Sequence, residues 1–139
     1  MEHSVISGEH HITTLCVDTY EGGQFTGRLY NPWFPQAVPV RSVMELLLFL
    51  DHMLDGMDFP QEFMAKRAFR PRKAVVVPSC PAGEPVGRAA TFSIRVLFRQ
   101  NASWQGRVVW REESRSETFR SALELLFLMH SALDGAECG

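Results

Sequence analysis

RSVMELLLFLDHMLDG (Arg41–Gly56) and RSALELLFLMHSALDG (Arg120–Gly135) are one segment written twice, 79 residues apart. The same offset continues upstream without a gap, so that Ile12–Gly56 overlays Thr91–Gly135. Val17 then meets Val96, and the pair Gly27-Arg28 meets Gly106-Arg107. An ungapped internal repeat of this kind reads as a duplicated supersecondary unit. Each copy of the segment reads as a helix. Ser42-Val43-Met44-Glu45 and Ser121-Ala122-Leu123-Glu124 are capping boxes, in which the hydroxyl and the carboxylate satisfy N–H groups of the first turn. Asp55-Gly56 and Asp134-Gly135 predict the stops, with glycine free to turn left-handed. Between Ala122 and Leu133 only Glu124, His130 and Ser131 are polar. Such a helix is expected to bury more than a sheet-facing stripe, against its sister helix or a second subunit.

Upstream of the second helix, Thr91–Arg99 alternates with the period of a half-buried strand. Phe92, Ile94, Val96 and Phe98 form one face, and Ser93, Arg95, Leu97 and Arg99 the other. Gln100–Ser103 supplies a turn. Trp104–Arg111 resumes the alternation, with Trp104, Val108 and Trp110 opposite Arg107, Val109 and Arg111. A short third strand over about Ser116–Phe119 leads into the helix. In the first copy the hairpin runs Ile12–Tyr20 and Gln24–Asn31 around a tight Glu21-Gly22-Gly23 turn. Pro32, Pro35 and Pro39 restrict its third strand to a short or edge position.

The linker holds a candidate short helix, Pro60–Phe69, an apolar run, Ala74–Val77, and a loop with Pro78, Pro81 and Pro85. The expected fold is α+β, with two tandem β-β-(β)-α repeats forming one antiparallel sheet of about six strands and both helices on one face. A single domain spans 1–139, with repeat 1 at about 12–56, the linker at 57–90 and repeat 2 at about 91–135.

Composition fits this reading. The 139 residues are 45% hydrophobic and 22% charged, as in an ordinary soluble domain. The net charge of −2 is unevenly spread: residues 1–56 carry seven acids and two bases, 57–90 three and six, 91–139 six and six. No half is basic enough to announce a nucleic-acid protein by charge alone. Cys16, Cys80 and Cys138 are widely spaced and odd in number, which argues against a disulfide framework. No signal-peptide pattern opens the chain, and Leu46–Leu50 is too short to span a bilayer. A cytoplasmic location is expected.

The block FSIRVLFRQNASWQGRVVW…TFRSALELLFLMHSAL (Phe92–Leu133) resembles a stretch carried by a family of small uncharacterised bacterial proteins. That likeness covers the second copy and implies no activity. In layout alone, the chain is also similar to the PUR repeat, in which antiparallel strands are followed by one helix. The PUR likeness implies single-stranded nucleic-acid binding by association of fold, with no motif residue matched.

The outward sheet face is the most suggestive surface, since alternation places Arg95, Arg99, Arg107 and Arg111 there. Arg28 and Tyr30 match Arg107 and Val109 in the first copy, and Tyr20 matches Arg99. Guanidinium groups on phosphates with rings under bases is one way a sheet holds single strands. A protein-docking surface and a plain solvated face are the competing readings, the latter with Glu112, Glu113 and Glu117 as cross-strand ion partners. A linker cluster, Lys66, Arg67, Arg70, Arg72 and Lys73, can grip phosphates or an acidic partner, or simply be solvated.

Glu9-His10-His11, with His3 nearby, is a poor metal set because neighbouring strand residues face opposite ways. His52 and His130 have no second ligand one helical turn away, so no metal or cofactor is expected. The chain lacks the nucleophile elbow, P-loop, dinucleotide and zinc-protease motifs. Cys16 has no evident base. The expectation is a non-enzymatic binding or interaction protein using the sheet face, with a protein partner or self-association ahead of nucleic acid. Single-stranded nucleic-acid binding is one alternative, and a small-ligand protein or enzyme with an unrecognised site is another. No membrane partner is expected.

Overall fold

The computed structural model describes residues 11–57, 67–71, 73–99 and 103–137. Strands β1 (Ile12–Glu21) and β2 (Gln24–Tyr30) form the first hairpin, followed by β3 (Val38–Val40) and helix α1 (Val43–Met57). The second half runs β4 (Ala90–Phe98), β5 (Gln105–Trp110), a 3-10 turn (Arg111–Glu113), β6 (Arg115–Phe119) and helix α2 (Ala122–Glu137). All pairings are antiparallel, in the order β3-β2-β1-β4-β5-β6, so the central β1–β4 pair joins the halves.

Local chemistry accounts for most of these elements. Gly22 and Gly23 take φ of 60° and 80°, the left-handed values that a two-residue hairpin turn requires. β3 is three residues long and lies at the sheet edge, because Pro39 has no N–H to give to a further strand. The serine half of each capping box forms in the same way at both helices, and the glutamate reaches one residue further back than the box requires. Glu45 N–H donates to Ser42 Oγ at 3.1 Å and Glu124 N–H to Ser121 Oγ at 3.1 Å. Glu45 accepts from the backbone N–H of Arg41 at 2.9 Å and from its guanidinium, and Glu124 likewise from the backbone N–H of Arg120 at 2.8 Å and from its guanidinium.

The glycine stops do not form. Gly56 and Gly135 lie inside the helices, which run on to Met57 and Glu137. Gly56 instead makes room: a Cβ there would sit 2.3 Å from the Trp33 ring.

Alternation along the central strands is broken at matching places. The β1–β2 register slips between Val17 and Thr19, and the β4–β5 register between Val96 and Phe98. Gly27 and Gly106 face the two bulges, and a Cβ on them would meet Cys16 O at 2.0 Å and Arg95 O at 1.9 Å. A bulge adds one residue and so reverses the facing of everything beyond it. Phe98, expected inside, is therefore 52% exposed, while Arg99, expected outside, is 1% exposed. Tyr20 is turned to the helix side likewise.

Both helices cover one face of the sheet, over a core that includes Leu15, Leu29, Phe92, Ile94, Leu46, Leu50 and Leu125. The residue beyond each bulge crosses between halves. Arg99, just past the end of β4, reaches Asp55 of α1 at 2.7 Å, with Asp51 at 3.9 Å and Leu54 O at 3.4 Å. Tyr20 of β1 hydrogen-bonds through its hydroxyl to His130 Nδ1 of α2. Tyr20 matches Arg99 and His130 matches Asp51 at the 79-residue offset, so the two contacts are counterparts with different chemistry. The helices do not bury all their apolar surface: Met44 and Leu48 on α1, and Leu123 and Phe127 on α2, stay exposed at matching positions. Of the candidate linker helix, Pro60–Lys66 lies outside the described residues, and Phe69 is fully exposed in a bend.

Candidate functional site

The outer sheet face is split into a covered half and an open half. Cys16 and Arg28 pair across β1 and β2, and Asp18 and Tyr30 lie beside them. The linker returns over this patch. Cys80 N–H donates to Ala37 O at 2.9 Å beside the β3 edge, and residues 83–88 then cross the outer face of β1 and β2.

Arg28 holds the linker down. It grips Asp18 with two bonds of 3.0 Å, touches the Tyr30 hydroxyl at 2.7 Å, and donates to Glu84 O at 3.0 Å and Val86 O at 2.9 Å. The Asp18 bond raises the Arg28 pKa above its ordinary value. Arg28 and Tyr30 are thus not available to a strand of nucleic acid, because the chain's own carbonyls and carboxylate occupy them. Beneath them Cys16 is completely buried, and that burial raises its thiol to about 11. A thiol so protonated is not a nucleophile at neutral pH.

On the open half, Ile12, Arg95 and Arg107 stand side by side across β1, β4 and β5, and Arg107 continues the row to Thr118 of β6. Leu97, Phe98 and Arg111 are exposed around them, with Val109 half-buried. Arg95 and Arg107 are directly opposite one another. Like charges in that position destabilise a sheet by roughly 0.2–1 kcal/mol. No salt bridge to either arginine occurs among the described residues. Two of the expected acidic partners are turned to other uses: Glu112 accepts from Thr91 N–H at 2.8 Å, and Glu117 lies opposite Val108 on the helix side.

Of the sheet-face arginines and tyrosine singled out from sequence, Arg95 and Arg107 are together on the open sheet surface, and Arg111, expected on the strand, is exposed in the 3-10 turn after β5. Arg28 and Tyr30 are under the linker, and Arg99 is inside. In the linker cluster, Arg67, Arg70 and Lys73 are exposed, and Lys73 lines a hollow of about 530 Å³ with Arg41, Leu48 and Val76. Lys66 and Arg72 lie outside the described residues, as do His3, Glu9, His10 and Cys138. Among the described residues no three His, Cys, Asp or Glu side chains converge as metal ligands. No described helix is long and apolar enough to cross a membrane. Phe98 was missed as a surface residue. The signal was in the glycines, since Gly106 opposite a β-rich segment marks a bulge.

Compared with protein-family models, curated proteins and solved structures, the chain matches none.

Proposed function

We propose that this chain is a non-enzymatic binding protein, and that it docks an acidic protein segment on the open half of its sheet face. The observation that carries the reading is a comparison between halves. Arg28 and Arg107 occupy the same position in the repeat, but Leu97 stands where Asp18 neutralises Arg28, and Arg95 stands where Cys16 lies beneath the linker. The second half has the guanidinium without the carboxylate, and a second cation opposite it. An anionic partner relieves that repulsion, and Ile12, Leu97 and Phe98 supply apolar contact beside it. Duplication followed by divergence of the two faces accounts for the shared bulges, caps and glycines.

A second reading, single-stranded nucleic acid, is favoured by Phe98, an exposed ring beside the two guanidiniums. The covered half shortens the lane such a strand can follow, which puts this reading second.

The test is fluorescence anisotropy of a labelled glutamate-rich peptide and of labelled oligo(dT) and oligo(U), at low and near-physiological salt. The peptide is expected to bind, and to be lost in Arg95→Ala/Arg107→Ala. Preferential oligonucleotide binding with a steep salt slope favours the second reading. No binding of any probe at low salt overturns both.

A further inference from the structure

On the helix side of the sheet, between β5–β6 and α2, lies a cavity of about 270 Å³ walled by Phe92, Trp110 and Leu128, with Arg115, Glu117 and Ser131 around it. The matching place in the first half is treated differently. There the loop after β2 carries Trp33 onto α1, edge-on to His52 with ring centroids 5.7 Å apart and pressed against Gly56. Asn31 sets that loop, accepting from Trp33 N–H at 2.8 Å while its amide donates to Ile12 O and Thr13 Oγ1 at 3.1 Å. In the second half Ser131 replaces His52 and Glu112 replaces Trp33. Glu112 sits exposed in the 3-10 turn, bonded to Thr91, so no ring is delivered to α2. Trp110 stands at the Asn31 position, and its Nε1–H is buried without an acceptor among the described residues.

We infer that this cavity is a binding site for a small planar aromatic molecule of one or two fused rings. The first half displays the shape that suits such a place, an indole packed on the helix. The volume lies just below the usual range of ligand pockets, about 300–1,000 Å³, which limits the occupant to a fragment-sized molecule. Arg115 and Glu117 line the cavity beside the apolar wall and can hold a polar substituent. The site is on the opposite side of the sheet from the open arginine surface, so either proposal can fail without the other.

The probe is indole, titrated into the full-length protein and followed by the Trp110 Nε1–H resonance. A saturable shift is expected, with intermolecular NOEs from indole to the Ala132 methyl. Ser131→Phe places a ring in the cavity and is expected to weaken binding by about tenfold or more without lowering Tm. If that variant does not fold, the NOEs in the wild-type protein decide the matter. The absence of a saturable shift at Trp110, NOEs to other residues, or undiminished binding by folded Ser131→Phe overturns the inference. N-acetyltryptophanamide binding in place of indole also overturns it, and assigns the cavity to a peptide side chain.

Discussion

Arg95 of β4 and Arg99 just past its end are four residues apart and have opposite roles. The bulge between them turns Arg99 into the interior, where it meets Asp51, itself 4% exposed, and the more exposed Asp55. Removing one partner of a buried ion pair leaves the other charge uncompensated, so Arg99→Ala is expected to cost about 3–5 kcal/mol. Arg95→Ala and Arg107→Ala are expected to stay within about 0.5 kcal/mol of the parent, each on the stabilising side because it ends a like-charge pairing. Urea midpoints measure all three, and an Arg99→Ala protein as stable as the parent would contradict the buried assignment. Cys16 gives a second residue-level test. Its thiol, at about 11, stays protonated well above its ordinary value. Native protein treated with iodoacetamide at pH 8 is expected to alkylate at the half-exposed Cys80 and not at Cys16, which should react only on unfolding. Because folding raises this pKa, the protein loses stability as pH climbs from about 9 toward about 11.

At the scale of elements, the helix caps are the most testable units. Ser121→Ala is expected to cost about 1 kcal/mol and to leave peptide binding unchanged, which a urea titration beside an anisotropy titration checks. Glu124 is held down to about 2 by Arg120, through side-chain and backbone hydrogen bonds. A depressed carboxyl stabilises the folded state above its unfolded pKa, and that contribution fades as pH falls from about 4.5 toward about 2. Helicity by circular dichroism should therefore soften in that window, and less so in Glu124→Gln.

These caps, both hairpins and the proline-shortened β3 were legible from sequence because each depends on residues within a few positions of one another. The bulges were not. They depend on Gly27 and Gly106 letting a neighbouring strand's carbonyl approach, a contact between strands that alternation alone does not encode. The linker's path was hidden for the same reason, since Arg28 anchors backbone carbonyls 56 and 58 residues away. The placement of the candidate residues was legible in part: Arg95 and Arg107 stand on the open face, Arg111 is exposed in the 3-10 turn beyond β5, and Arg28, Tyr30 and Arg99 are spent on structure.

For the whole molecule, two halves of similar sequence face each other across β1 and β4, and each sends the residue beyond its bulge to the other's helix. Arg99 bonds to Asp55 in one direction and Tyr20 to His130 in the other. Linker and Arg28 close the outer face over the first half, and the second half stays open with an unneutralised arginine pair at its centre. The most direct test of partner docking there is amide chemical-shift mapping of ¹⁵N-labelled protein titrated with the glutamate-rich peptide. Shifts are expected at Arg95, Leu97, Phe98, Arg107 and Val109, with Cys16, Arg28 and Tyr30 silent beneath the linker. Shifts centred on Arg28 and Tyr30, or none on the sheet at all, would contradict it.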